Sequence, residues 1–330
     1  MYQNIIFDLY GTLIDIRTDE FSLDFWRKAV QGFATGGASF SPGELRTAYT
    51  KYVKRALRHE RLKHPTYKHV DIDLLQVFRR LYSDKGVSAD IRLLRKTARR
   101  FRTDSTQMIR LYDGVIELLE GLKRAGKKIY LLSNAQESFT IPEMEDLGIL
   151  SYFDGIMISS EERVCKPQRQ FFEKLLAKYE LDKTECLMVG NDKNSDMMGA
   201  KGVGIDGVYI HQEISPEVED ESEICARYKI MDGDVRKILQ WIMEASSEEQ
   251  WIDHQDSGRH CGRSGDILSG DADTVDRHRR HGRVPDHSAR RFGGDLRNML
   301  SDVSYLESER RGGRRNGRTG SRRTGRDRRE

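Results

Sequence analysis

Residues 7–13 read Phe7-Asp8-Leu9-Tyr10-Gly11-Thr12-Leu13 and follow the apolar pair Ile5-Ile6. Three apolar residues that run into a carboxylate and then a Gly-Thr turn predict a short buried strand ending on Asp8. Downstream the period turns helical for roughly a hundred residues. The spacing predicts helices over Phe21 to Phe33, Ser41 to Leu62, Asp71 to Tyr82 and Ser88 to Phe101, the second opened by a Ser41-Pro42-x-Glu44 capping box. After Asp113-Gly114 the pattern alternates again. Val115 to Ala125, Gln168 to Tyr179, Ser195 to Ala200 and Asp232 to Met243 read as helices. Lys128 to Leu132, Ile156 to Ser159, Cys186 to Val189, Val208 to Ile210 and Tyr228 to Ile230 read as strands. Strand-helix-strand repetition implies a parallel, Rossmann-like α/β sheet interrupted by an all-helical insert. The division expected is a core from residues 1–14 and 111–245, a helical cap from 15–110, and a tail from 246–330.

Composition bounds the rest. The chain has 330 residues, 37% hydrophobic and 33% charged, enough for two domains of a soluble, charge-rich protein. It has no run of about 18 apolar residues, and a strand starting at Ile5 leaves no room for a signal core, so neither a membrane span nor secretion is expected. Cys165, Cys186, Cys225 and Cys261 are scattered without a Cys-x-x-Cys pair, which fits a reducing cytoplasm. The net charge of +3 conceals a break in composition. Up to Lys237, 18 Lys and 19 Arg face 37 acids; beyond it stand 19 Arg, no Lys and 16 acids. Periodicity stops near Ser246. The tail therefore reads as disordered or as translated in a shifted frame, although its Arg-Gly steps from Arg310 to Arg329 are also compatible with a nucleic-acid-binding appendage.

In a parallel sheet the ligand crevice lies beyond the carboxyl ends of the strands. The residues there are Asp8, Ser133, Lys166 and Asp192. A carboxylate, a hydroxyl, an ammonium and further carboxylates suit displacement at an anionic phosphoryl centre, given a cation to offset the crowded charge.

Four strings, Phe7-Asp8-Leu9-Tyr10-Gly11-Thr12-Leu13, Leu131-Leu132-Ser133-Asn134, Cys165-Lys166-Pro167 and Val189-Gly190-Asn191-Asp192 with Asp196, resemble the ordered motifs of the haloacid dehalogenase-like (HAD) hydrolase superfamily. The helical insert sits where one branch carries its cap. The resemblance implies that Asp8 is a nucleophile forming an aspartyl-phosphate, that Ser133 hydrogen-bonds the transferring group, and that Lys166 holds Asp8. It implies Mg2+ held by Asp8, Asp192 and the backbone carbonyl of Tyr10, with Asp196 orienting that shell. Thr12 and Asn134 complete the expected substrate-binding set, Thr12 chiefly by stabilising the turn. The substrate expected is a small phosphorylated, anionic metabolite.

Tyr10 departs from this pattern, since phosphatases of the superfamily carry a second aspartate there as acid and base. A phenol of pKa near 10 does that work poorly at neutral pH. Tyrosine at this position resembles the dehalogenase branch, whose halide leaves without a proton. Asp192 points back to metal-dependent phosphate chemistry, because dehalogenation uses no metal. Arg27 is the one arginine between Asp19 and Ser41, and that stretch does not match a dehalogenase carboxylate-binding segment. The alternatives are thus a 2-haloacid dehalogenase-type hydrolase and a catalytically weak binding protein.

Further features read as structural. Lys51, Lys54, Arg58 and Arg61 line one helix face opposite Tyr49, Val53 and Ala56, a solvated face or an anion-facing one. Tyr49 and Tyr52 read as packing residues, and His59, His64 and His69 as surface histidines. Gly202-Val203-Gly204-Ile205-Asp206-Gly207 matches a dinucleotide fingerprint by letter but follows a helix and precedes a strand, the wrong order for pyrophosphate binding.

Overall fold

The alternation expected around Asp8 is built into the sheet. In the computed structural model of the chain, residues 2–245 are described, and the readings attached to residues 246–330 lie outside the described residues. β1 (Asn4–Phe7) is buried along its whole length. Ile5 and Phe7 face one hydrophobic cluster and Ile6 the opposite one, as the two-residue period of a strand dictates for a sheet covered on both sides.

After β1 the chain forms β2 (Ile14–Thr18), then four helices, α1 (Leu23–Thr35), α2 (Pro42–Lys63), α3 (Leu74–Asp84) and α4 (Ile91–Ser105), and returns through β3 (Thr106–Leu111). It then alternates through α5 (Val115–Arg124), β4 (Lys128–Ser133), α6 (Glu137–Asp146), β5 (Gly155–Ile158), the single turn α7 (Ser159–Glu162), α8 (Arg169–Lys178), β6 (Cys186–Gly190), α9 (Met198–Val203), β7 (Asp206–Ile210) and β8 (Tyr228–Ile230). Residues 236–245 are helical. The six-stranded sheet has the order β5-β4-β1-β6-β7-β8 with every neighbouring pair parallel. Phe7 lies opposite both Leu131 of β4 and Val189 of β6. The chain winds outward from β1 in both directions, so the carboxyl ends of β1, β4 and β6 form the switch point where ligands collect.

Leu118, Leu119 and Leu122 of α5 cover the Phe7 face, and Phe171, Phe172 and Leu175 of α8 cover the Ile6 face. Each such side chain contributes roughly 1.5–3 kcal/mol by leaving water. The helical insert has its own core of Phe25, Trp26, Tyr49, Phe78, Leu94 and Phe101, with Phe25 and Phe101 edge to face at 4.9 Å. Phe139 of α6 belongs to that insert core. The expected capping box holds: Ser41 Oγ accepts from the Glu44 amide at 3.2 Å, and Glu44 Oε2 accepts from the Ser41 amide at 3.4 Å. Tyr49 and Val53 are buried, Lys51, Arg58 and Arg61 are exposed, and Tyr52 packs in the insert core.

Several expectations need correction. The helix expected from Asp71 starts at Leu74, because Asp73 is its N-cap and the backbone of residues 69–72 bonds instead to Arg163, Cys165 and Gln136. The helix expected over Ser195 to Ala200 is a wide turn over Lys193–Met197 followed by α9, since the Asp192 carboxylate accepts from the amides of Asn194 and Ser195. Besides the single turn α7, two features carried no expectation. The antiparallel ribbon β2–β3 forms the stem of the insert, and α6 contains Pro142, which disguises its helical character. Gly204, with φ +77°, stops α9 ahead of β7, so the Gly202–Gly207 stretch is a helix stop and turn. Among the described residues no helix is long and apolar enough to cross a membrane.

Candidate active site

Asp8 follows β1, Ser133 ends β4, and Asp192 and Asp196 follow β6, so three adjacent strands bring together residues far apart in sequence. The Asp8 amide donates to the Val189 carbonyl at 2.9 Å, which carries the strand register up to the carboxylate itself. Thr12, Leu13 and Ile14 all donate their amides to the Leu9 carbonyl. That tight turn does not use the Tyr10 carbonyl. Gly11 sits at φ +83°, and a Cβ there would collide with the Asn191 side chain.

Lys166 lies at the centre, 1% exposed. Its Nζ donates to Asp8 Oδ1 at 2.6 Å and pairs with Asp196 Oδ1 at 2.8 Å. Its backbone is clamped by Asn134, whose Oδ1 accepts from the Lys166 amide at 2.8 Å and whose Nδ2 donates to the Lys166 carbonyl at 3.2 Å. Thr12 Oγ1 donates to Asp8 Oδ2 at 3.4 Å and lies equally far from Asn191 Oδ1. The expected residues Asp8, Thr12, Asn134, Lys166 and Asp196 are therefore in one connected network. Asp192 is joined to it because its amide donates to Asp196 Oδ2 at 3.0 Å. Gly190 makes room for this arrangement: a Cβ there would overlap the Asp196 carboxyl.

The charge balance is uneven, with three carboxylates around one ammonium. Burial alone would pull the Lys166 ammonium down, but Asp196 and Asp8 hold it above its ordinary value. Burial pushes the Asp196 carboxyl up, and against the pull of Lys166 its neighbours Asp8 and Asp192 push it the same way. An added cation would relieve this. The donors are hard oxygens, and Asp8 Oδ2 and the Tyr10 carbonyl are only weakly engaged or outside the turn's ladder, so the set fits a small divalent cation that retains several waters. Among the described residues no three His, Cys, Asp or Glu side chains are grouped closely enough to hold a metal ion by themselves.

Ser133 stands apart. It is 1% exposed, and among the described residues its hydroxyl has no hydrogen-bond partner. A buried, unsatisfied hydroxyl costs free energy unless a ligand completes it.

The Tyr10 hydroxyl is engaged by α6 rather than by the Asp8 network. It donates to Glu143 Oε2 at 2.5 Å and lies 3.1 Å from Thr140 Oγ1, both on α6. Burial first, and then the Glu143 charge, push the phenol well above its ordinary value. Arg102, from the last turn of α4, pairs with Glu143 at 2.6 Å and lies 5.5 Å from the centre of the Tyr10 ring. Sequence reasoning missed Arg102, Thr140 and Glu143, which no motif marks. Arg27, the cation weighed from sequence, is exposed.

A family model for haloacid dehalogenase-like hydrolases matches residues 2–204. A HAD-hydrolase of Bacillus subtilis, YfnB, is 25% identical over 154 residues, 46% of this chain and 63% of that protein, so this match spans less than two thirds of the relative. Its structure, described as bound to magnesium, aligns with 72% of this chain and 97% of its own at 19% identity and a TM-score of 0.41. A glyceraldehyde 3-phosphate phosphatase of Pyrococcus abyssi is 27% identical over 209 residues, 63% of this chain and 81% of that protein. A pyrimidine 5'-nucleotidase of Streptococcus pneumoniae is 26% identical over 171 residues, covering 50% and 70%.

Proposed function

Because the chain belongs to the haloacid dehalogenase-like hydrolases, we propose that it is a Mg2+-dependent phosphatase of small phosphorylated metabolites, with Asp8 as nucleophile. The observation that carries this reading is the buried Lys166 ammonium between Asp8 and Asp196, with the unsatisfied Ser133 hydroxyl at the next strand end. Phosphatases among the relatives support the same class of substrate.

In this reading an Asp8 oxygen forms a bond to phosphorus while the bond from phosphorus to the leaving oxygen breaks, and the electron pair departs with that oxygen. Water then attacks the aspartyl-phosphate at phosphorus, freeing phosphate and restoring the carboxylate. Lys166 fixes the orientation of Asp8 and offsets charge developing on the phosphoryl oxygens. Ser133 donates its hydroxyl to one of those oxygens, and Asn134 keeps the Lys166 backbone in place. Asp8, Asp192 and the Tyr10 carbonyl would hold Mg2+, with Asp196 orienting its surroundings. When bound, the ion supplies positive charge against the phosphoryl oxygens and the crowded carboxylates.

Tyr10 decides the leaving group. Its proton is held by Glu143 and unavailable at neutral pH, so aryl and acyl phosphates, which leave without protonation, should exceed alkyl phosphates in kcat/KM by about tenfold or more. Equal turnover of alkyl phosphates contradicts this. A second reading, displacement of halide from a 2-haloacid by Asp8, is favoured by the same tyrosine. Phosphate release from p-nitrophenyl phosphate, with and without Mg2+ and for Asp8→Asn, separates the two. Release that needs both Mg2+ and Asp8 is expected. Metal-independent halide release from 2-chloropropionate, with no phosphate release, would overturn the phosphatase reading.

A further inference from the structure

The segment between α2 and α3 crosses from the helical insert to the loop that follows Ser133 and to the loop that carries Lys166. The Cys165 amide donates to the His69 carbonyl at 3.2 Å, and the Asp71 amide donates to the Arg163 carbonyl at 3.3 Å. The Lys68 amide donates to Gln168 Oε1 at 3.0 Å, and Ser159 Oγ donates to Asp71 Oδ2 at 2.5 Å. Tyr67 packs against both the insert core and the sheet core.

Gln136 closes this arrangement from the other loop. It lies three residues after Ser133 and is 5% exposed. Its Nε2 donates to the Ile72 carbonyl at 2.9 Å and its Oε1 accepts from the Leu74 amide at 2.9 Å. One carboxamide thus meets the carbonyl of one residue and the amide of the residue two further on, the pairing a neighbouring strand would make. Both partners are backbone groups, so the contact fixes the position of the segment whatever its side chains. The Gln136 turn is held in turn by Ser159 Oγ, which accepts from the Ala135 amide at 2.8 Å, and by Ser160 Oγ, which accepts from the Glu137 amide at 3.0 Å.

We propose that Gln136 is a positioning residue: its carboxamide clamps residues 72–74 of the helical insert to the Ser133 turn, so that docking of the insert aligns Ser133 and, through residues 68–71, Lys166. The inference rests on the phosphatase reading for its kinetic consequence. Its structural content stands apart from that reading. Small errors in the placement of reacting groups cost up to about a hundredfold in rate, so the clamp acts on kcat more than on KM.

The test uses the full chain with Gln136→Ala and the volume-conserving Gln136→Glu, which puts an acceptor against the Ile72 carbonyl. Should the alanine variant fail to fold, the glutamate variant carries the test. Amide hydrogen exchange is measured at Leu74, Asp71 and Cys165, beside kcat and KM with p-nitrophenyl phosphate and Mg2+. Expected are exchange faster by about tenfold or more at all three amides, and a kcat lower by about ten- to a hundredfold with KM moved less than about threefold. Faster exchange confined to Leu74, or an unchanged kcat, overturns the proposal. If the unaltered chain releases no phosphate, the phosphatase reading fails by itself. The exchange arm then still decides the clamp: a joint rise at the three amides upholds it and an isolated one refutes it.

Discussion

Ser133 pairs near-complete burial with a hydroxyl unpartnered among the described residues, so effects on folding and on turnover can be told apart at this position. Removing the oxygen relieves an unsatisfied polar group, so Ser133→Ala should melt at the same temperature as the unaltered chain or slightly above it. The same change should lower kcat/KM by about ten- to a hundredfold, the worth of one hydrogen bond to a charged group. A variant that loses stability and activity in parallel would give the hydroxyl a structural role instead. Ser133, Asp8, Lys166 and Asp192 were legible in the sequence because each sits at a strand end or in the loop after one, where period and punctuation change together. Arg102, Glu143 and Gln136 were not. A buried arginine on an amphipathic helix looks like any other arginine until α6 brings a carboxylate to it. A glutamine in a turn has no periodicity that would reveal two backbone partners more than sixty residues away.

At the level of elements, α4 and α6 meet through charge. Arg95 pairs with Glu137 at 3.2 Å, Arg99 with Asp146 at 2.9 Å, and Arg102 with Glu143 at 2.6 Å. The first two pairs are exposed enough on the arginine side for solvent to screen them and contribute little. Arg102 and Glu143 are 6% and 12% exposed, so Arg102→Ala strands a carboxylate beside the Tyr10 hydroxyl and should destabilise by about 3–5 kcal/mol. Replacing both partners with apolar residues of similar volume should recover most of that loss in a urea titration. Asp154, ahead of β5, gives a contribution that depends on pH. Burial alone would raise its carboxyl, but Lys123, the Ile129 amide and Lys128 outweigh that and hold it below the ordinary carboxylate range. A depressed folded-state value means stabilisation that is complete above the unfolded pKa near 4 and is lost as pH falls through the folded value. Asp154→Asn should therefore cost about 1 kcal/mol at neutral pH and progressively less as pH falls below the unfolded value; a penalty that does not shrink in acid would assign the effect to packing. The helix α6 escaped the sequence reading because Pro142 and a weak apolar stripe hide it, and the β2–β3 ribbon because its two strands pair across the whole insert.

Over the whole described chain the charges are segregated. Residues 15–110 carry 21 Lys and Arg against 11 Asp and Glu, whereas residues 1–14 and 111–245 carry 16 against 27. The helical insert is thus strongly positive and the sheet layer strongly negative, a charge pattern expected to draw in an anionic substrate. Raising ionic strength from about 20 mM to about 500 mM shrinks the screening length several-fold and should lower kcat/KM for an anionic substrate by about three- to tenfold. A flat salt profile would show that the positive charge serves only as a solvated surface. The central strand has a consequence of another kind. β1 takes its partners from β4 and β6, so Phe7 waits for Leu131 on one side and Val189 on the other. At a ribosomal pace of about 5–20 residues per second, the later partner arrives roughly 10–35 s after β1 itself. The strand that leads into Asp8 is thus made well before its second partner and is enclosed late, while the helical insert, with a hydrophobic centre of its own, can consolidate during the interval. During synthesis the apolar Ile5-Ile6-Phe7 run is the segment on which chaperones and stray strand edges would compete.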